Sequence, residues 1–195
     1  MNFSSRELLE LGKAWIAVSL AFAILFTIRD FALDRFLLLF GTCLVVVGAA
    51  FLLHELAHKF FAQRYGCWAE FRADNKMLLL MLAVSFFGFI FAAPGGVLIH
   101  GALTRERHGK IAFAGPFVNL LFAVLFLALL GIGVTSPVVS FGFHINSWLA
   151  FFNLLPLWQF DGLPVLRWNK IVYGLALASA LVLSFFGSFT TWRPF

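Results

Sequence analysis

Charged residues are scarce in this chain of 195 residues. Only 12% of its residues are Asp, Glu, Lys or Arg, whereas 62% are hydrophobic. A soluble domain typically has about 25% charged residues, so the composition excludes an ordinary water-soluble domain and predicts an integral membrane protein. The net charge of +5 is not gathered into a basic run interleaved with aromatic residues. We therefore expect no nucleic-acid partner.

Cysteine is also rare. Cys43 and Cys67 are the two cysteines, which is too few for a disulfide framework. On a continuous helix, Cys43 would lie about 16 Å from His54 at a rise of 1.5 Å per residue, too far for both to bind one metal ion. The sequence therefore predicts structural roles for both cysteines.

Long apolar stretches dominate the rest of the chain. Five of them have close to the roughly 20 residues that a membrane-spanning helix needs. These five predicted spans lie at about 11–28, 36–62, 111–134, 141–160 and 171–191. The first has no small-residue cleavage pattern after it, so we expect a retained span rather than a signal peptide.

A sixth apolar stretch, at about 77–99, is interrupted by Pro94-Gly95-Gly96. We expect it to enter the membrane and return on the same side as a re-entrant hairpin. The predicted fold is therefore an all-α membrane protein, a polytopic helical bundle of about five to six spans with this segment inserted. We expect one domain over residues 1–195, without a soluble accessory domain.

The clearest chemical signal is the sequence His54-Glu55-Leu56-Ala57-His58 at the end of the second span. Two histidines four residues apart share one face of a helix and can bind one zinc ion, with the intervening glutamate as general base. Chance placement of five His and five Glu residues gives this pattern in about one shuffled sequence in three hundred. On this motif alone, two helix-end histidines beside a snorkelling glutamate remain an alternative.

Asp161 is the candidate third ligand, because it follows the fourth span and precedes Gly162. A carboxylate costs roughly 2.5–3.5 kcal/mol at the centre of a spanning helix and less near the interface, and zinc would offset that cost. Three protein ligands leave a fourth position for water. The alternative is a span that breaks at Pro156 and ends in an ordinary turn.

The expected ligand set constrains the topology. His54 and His58 can meet Asp161 only if the 77–99 segment does not cross the membrane. This arrangement places eleven of the 14 Lys and Arg residues on one side, whereas six full spans would place seven on each side. The positive-inside rule favours the first arrangement. It predicts a multi-pass protein of the cell membrane, with the N-terminus cytoplasmic and the active site nearer the cytoplasmic side.

Three motifs together resemble those of the site-2 protease family of intramembrane zinc metalloproteases. They are His54-Glu55-x-x-His58, Gly115-Pro116-x-x-Asn119 and Asn153-x-x-Pro156-x-x-x-x-Asp161-Gly162. The motifs lie in the central spans, and the two outer spans contain no motif of the family. The chain lacks the PDZ or CBS domains that some members of the family carry.

The resemblance implies an endopeptidase with one Zn²⁺ per chain, which cleaves transmembrane proteins or peptides surrounded by membrane lipid. It also implies that the re-entrant segment is β-hairpin-like and that one of its edges pairs with the extended substrate. One or both of Asn119 and Asn153 would help to position the substrate backbone near the metal, although hydrogen bonding between helices is an open alternative for both. We expect non-catalytic roles for His100, His108 and His144.

Two non-enzymatic interpretations remain. A channel or transporter would use the same buried polar residues, but the sequence has no duplicated half of the kind common in transporters. A zinc-binding membrane scaffold would keep the ligands without needing Glu55. The sequence leaves the physiological substrate and the oligomeric state open.

Overall fold

Helices form most of the computed structural model, which describes residues 1–90, 94–157 and 160–189, without the side chains of 186–189. The described elements are seven helices and two strands. In chain order they are α1 (Ser5–Thr27), α2 (Leu33–Arg64), β1 (Trp68–Ala73), α3 (Asn75–Ser85), β2 (Gly95–His100), α4 (Arg105–Gly131), α5 (Pro137–Asn153), α6 (Gly162–Trp168) and α7 (Lys170–Phe189). This architecture confirms the prediction of a helical membrane protein with a small hairpin.

By length and composition, α1, α2 and α4 can each cross a membrane. The predicted span at 141–160 corresponds to α5, which ends earlier, at Asn153. Pro156 explains the early end, because proline has no N–H to donate and disfavours helical geometry in the residue before it. The predicted span at 171–191 corresponds to α7, and its last two residues lie outside the described part of the chain.

Helices α1 and α2 pack closely because α2 has a glycine at the contact. The Trp15 indole lies over Gly48, where a Cβ atom would come within 1.8 Å of its Nε1. That nitrogen donates a hydrogen bond to the Leu44 carbonyl at 2.8 Å. The main apolar core lies beside this contact, between α1, α2, α5 and the hairpin.

The hairpin differs in detail from its prediction. Its second strand, β2, lies inside the predicted 77–99 segment except for its last residue, His100, but its partner β1 lies upstream. Residues 75–85 form helix α3 instead, which begins at an N-cap where the Asp74 side chain accepts from two backbone N–H groups. The Leu- and Met-rich sequence of α3 favours a helix, whereas β1 buries alternate residues, as strands do.

The two strands are antiparallel, with Trp68 opposite His100 and Ala73 opposite Gly95. Antiparallel pairing brings His100 at the end of β2 back opposite Trp68, close to the point where the chain left α2. This path brings the start of α4 back beside the end of α2. Entry of the segment into lipid and the orientation of the bundle stay predictions.

Candidate metal centre and active site

Helix α2 holds His54 and His58 one turn apart on the face that packs against α4. Both residues are buried, with 4% and 7% of their surface exposed. Their Nε2 atoms are 3.0 Å apart. The spacing within the motif therefore brings the two imidazoles together, as the sequence predicted.

Helix α4 fixes the orientation of both rings. His58 Nδ1–H donates to the Ile111 carbonyl at 2.8 Å, and His54 Nδ1–H donates to Asn119 Oδ1 at 2.6 Å. Because a carbonyl oxygen only accepts hydrogen bonds, these partners place the ring protons on the Nδ1 atoms. The two Nε2 lone pairs are then directed toward the same point.

Asp161 supplies the third group at that point. Its Oδ2 lies 3.2 Å from His54 Nε2 and 3.2 Å from His58 Nε2. Next to Asp161 the backbone packs closely against the end of α5. A Cβ atom at Gly162 would lie 2.2 Å from the Leu154 carbonyl oxygen. The glycine after Asp161 is thus needed for the close approach of these two backbone segments.

These three atoms fit a zinc site. The three atoms are two imine nitrogens and a carboxylate oxygen, all electron-rich, and the distances between them are 3.0–3.2 Å. Ligands bound tetrahedrally to zinc at about 2.0–2.1 Å are about 3.3–3.4 Å apart. Lone pairs at this separation repel one another unless a cation or proton lies between them. Among the described residues, His54, His58 and Asp161 are the group of His, Cys, Asp or Glu side chains close enough to hold one metal ion.

Gly115 of α4 leaves room above the centre. A Cβ atom on this residue would lie 2.4 Å from His58 Nε2 and 2.6 Å from His54 Nε2. A side chain at this position would therefore fill the space next to the converging lone pairs. Gly115 belongs to one of the three sequence motifs, and the structure gives it a steric role.

Asn119 belongs to the support of the centre rather than to the wall of a cavity. Its side chain is fully buried. Its Oδ1 accepts from His54, and its Nδ2 donates to the Ala50 carbonyl at 3.3 Å and to Asn146 Oδ1 at 3.0 Å. Asn146 in turn donates to the Gly142 carbonyl. These contacts are those of a residue that orients His54, and Asn146 extends them into α5 although it belongs to none of the three sequence motifs.

A cavity of about 930 Å³ opens from the metal centre. His54, Glu55, His58, Asp161 and Asn153 all line it. Nine other lining residues are apolar side chains of α1 and α5: Val18, Phe22, Leu25, Phe26, Phe141, Ile145, Trp148, Leu149 and Phe152. Asn153 also donates to the Leu149 carbonyl at 2.9 Å. Glu55 therefore shares one apolar chamber with the candidate ligands.

Strand β2 forms another wall of this cavity, through Gly95, Val97 and Ile99 among others. The β1 residues opposite Val97 and Ile99 are Phe71 and Ala69. The Phe71 N–H and Ala69 carbonyl bond to side chains on the far side of β1. Since backbone groups alternate between the two edges of an antiparallel strand, those of Val97 and Ile99 point away from β1. The open edge of the hairpin therefore borders the cavity.

Of the other histidines, His108 and His144 also line the cavity. His144 Nδ1–H donates to the Ser140 carbonyl one turn earlier in α5. His100 ends β2 and its ring lies against Trp68. None of the three joins the metal-ligand group among the described residues.

A helical membrane fold with this His54-Glu55-x-x-His58 centre defines a zinc metalloprotease. A protein of Methanocaldococcus jannaschii, provisionally named a zinc metalloprotease, is 40% identical over 180 residues, which are 89% of this chain and 90% of the relative. The chain belongs to the family of zinc metalloproteases that contains this relative, in agreement with the resemblance of its motifs to the site-2 protease family.

Two further relatives match shorter parts. A second M. jannaschii protein, named a zinc metalloprotease, is 26% identical over 158 residues, 73% of this chain and 42% of the relative. Rip3 of Mycobacterium tuberculosis, provisionally named a zinc metalloprotease, is 32% identical over 130 residues, 63% of this chain and 29% of the relative. No protein-family model matches the chain. No solved structure matches it.

Replacing Gly115 by alanine is expected to weaken zinc binding. The added methyl group would intrude between the two Nε2 atoms and force them apart, and overpacking of this kind costs about 1–3 kcal/mol, or about tenfold or more in affinity. Zinc content of the purified protein, measured in a chelator competition series, checks this. Gly131→Ala is the matched control, because a Cβ atom at that end of the same helix meets nothing within 4 Å. A Gly115→Ala protein with wild-type zinc affinity would contradict the steric role.

Proposed function

We propose that this metalloprotease cleaves peptide bonds within transmembrane segments of membrane-anchored proteins. The observation that carries the proposal is the shared cavity, which joins the candidate metal ligands and Glu55 to the open edge of β2 between apolar helices. An apolar chamber suits a membrane-embedded substrate, and an open strand edge suits an extended one. A scaffold that merely bound zinc would need neither Glu55 in the chamber nor a strand edge beside it.

His54, His58 and Asp161 would hold one zinc ion, because their three ligand atoms converge and their charges suit a divalent cation. When bound, zinc supplies a Lewis acid that polarises the scissile carbonyl and lowers the pKa of a water molecule to about 7. The Nδ1 hydrogen bonds to Ile111 and Asn119 keep both rings in the metal-binding tautomer.

Glu55 is the proposed general base. It lies between the two histidines in sequence, is 9% exposed, and lines the cavity. From there its carboxylate can accept a proton from the attacking water and pass it to the leaving amine.

The substrate helix must unwind before cleavage, because its carbonyl groups are engaged in its own hydrogen bonds. Lipid offers no replacement partners for the freed backbone groups. The outward N–H and C=O groups of Val97 and Ile99 would provide them by strand addition. Asn153 lines the cavity, and we propose that it contacts the substrate backbone. The contacts of Asn119 instead support a role in orienting the His54 ring.

Replacing Glu55 by glutamine should reduce cleavage of a membrane-embedded test helix by about 10²–10⁴-fold, the usual contribution of a general acid–base residue. Zinc content should remain close to wild type, because Glu55 is not one of the converging ligands. The assay uses vesicles that contain the purified protein and the test helix, with product measured by mass spectrometry.

The control for this variant is a chelator titration of the wild-type protein. Chelation should abolish cleavage, and later addition of zinc should restore it. A wild-type protein that binds zinc but does not cleave the helix would support the scaffold instead. Full activity of Glu55→Gln would contradict the assigned base.

Replacing Val97 by proline should raise the KM for the test helix and leave zinc binding unchanged. The N–H of Val97 points to the open edge rather than to β1, so proline would remove a donor for the substrate without removing a bond of the hairpin. Val97→Ala is the matched control, because it shortens the side chain and keeps the N–H. Equal KM values for the two variants would count against strand addition at this position.

A further inference from the structure

A buried ion pair lies outside the metal centre and joins the first turn of α1 to α2. Lys59 Nζ lies 2.7 Å from Glu7 Oε1 and 2.5 Å from Glu7 Oε2. The side chains are 1% and 0% exposed, respectively. Lys59 directly follows the candidate ligand His58. Charged groups buried this deeply need to be paired and hydrogen-bonded, so the remaining contacts of the pair are informative.

Lys59 Nζ also lies 4.5 Å from the centre of the Phe3 ring, and the other two contacts are to the backbone of β1. Lys59 Nζ donates to the Ala69 carbonyl at 3.0 Å, and the Phe71 N–H donates to Glu7 Oε1 at 2.9 Å. The two strand groups, the Phe71 N–H and the Ala69 carbonyl, belong to residues two apart, so they lie on the same edge of β1. This is the edge that faces away from β2. The ion pair therefore takes the place that a third strand would occupy.

The next backbone group on this edge is also occupied. The Phe71 carbonyl accepts from a guanidinium nitrogen of Arg72 at 3.1 Å. An uncovered strand edge presents a row of unpaired groups to which another extended chain can add, and charged side chains are a common way to block it. Side chains thus occupy these three backbone groups on the outer edge of β1, while residues of β2 line the cavity.

We propose that Glu7 and Lys59 are positioning residues that close the outer edge of β1 and hold the hairpin so that its open edge stays beside the metal centre. This inference rests on the proposed addition of substrate to β2. The pair ties β1 to α2 one residue beyond His58, so the strand edge and the metal centre share one support. A substrate then meets a pre-ordered edge and spends no binding energy on ordering it.

The choice of charged residues agrees with this role. Apolar side chains of similar volume often replace a buried ion pair with no loss of stability. Apolar residues could join α1 to α2 equally well. They could not accept from the Phe71 N–H or donate to the Ala69 carbonyl, whereas a carboxylate and an ammonium group do both.

The test is the double variant Glu7→Leu with Lys59→Met, which removes both charges together and leaves no unpaired buried ion. We expect wild-type zinc content and a kcat within about twofold of wild type. The KM for the test helix should rise about tenfold, the size expected when two hydrogen bonds that order the edge are lost. Deuterium exchange of the amides in β1, including Phe71, should become faster.

The matched control is Asp30→Asn, which also removes an ion pair, the exposed one between Asp30 and Arg35. It should change neither the KM nor exchange in β1. A zinc-loaded double variant with unchanged KM would overturn the proposal. So would loss of zinc and kcat without a change in β1 exchange, because the pair would then support the metal centre rather than the strand.

Failure of the proposed function would give a different experimental result. If the wild-type protein does not cleave the test helix, intramembrane proteolysis fails as the function. Deuterium exchange in the double variant still decides whether Glu7 and Lys59 close the edge of β1. Unchanged exchange in a folded, zinc-loaded double variant would overturn that closure independently of any activity.

Discussion

The convergence of three electron-rich atoms on one point is the interaction on which the rest of this structure depends. His54, His58 and Asp161 bring two ring nitrogens and a carboxylate oxygen within 3.2 Å of one another. In an apolar bundle such a cluster is costly unless a cation neutralises it. The surrounding chain is arranged to hold the cluster in place, with Gly115 leaving space above it and Gly162 permitting the turn that delivers the carboxylate.

The hairpin and the polar side chains inside the bundle follow from the same constraint. The hairpin returns the chain to the end of α2, so that α4 packs beside the histidines and orients both rings. Asn119 and Asn146 continue this support into α5. Glu7 and Lys59 connect the hairpin to the helix that carries the histidines. Most buried polar groups described here therefore act on the metal centre or on the strand beside it.

The convergence of His54, His58 and Asp161 could be predicted from the sequence, because it depends on local spacing and on chain topology. The spacing of His54 and His58 sets their common face, and the cost of a charge in the membrane pointed to Asp161. The strand pairing was harder, because the partner of β2 lies more than twenty residues upstream and no local pattern specifies which segments pair. The partner of Lys59 was not predictable either, since Glu7 lies 52 residues away and a single lysine near a span end resembles an interfacial charge.

X-ray absorption at the zinc edge of the purified, zinc-loaded protein tests the central claim most directly. The account predicts a first shell of nitrogen and oxygen atoms at about 2.0–2.2 Å, with the outer-shell scattering of two imidazole rings. A sulfur scatterer at about 2.3 Å would place a cysteine on the metal. That result, or the scattering of fewer than two imidazoles, would contradict a centre built from His54, His58 and Asp161.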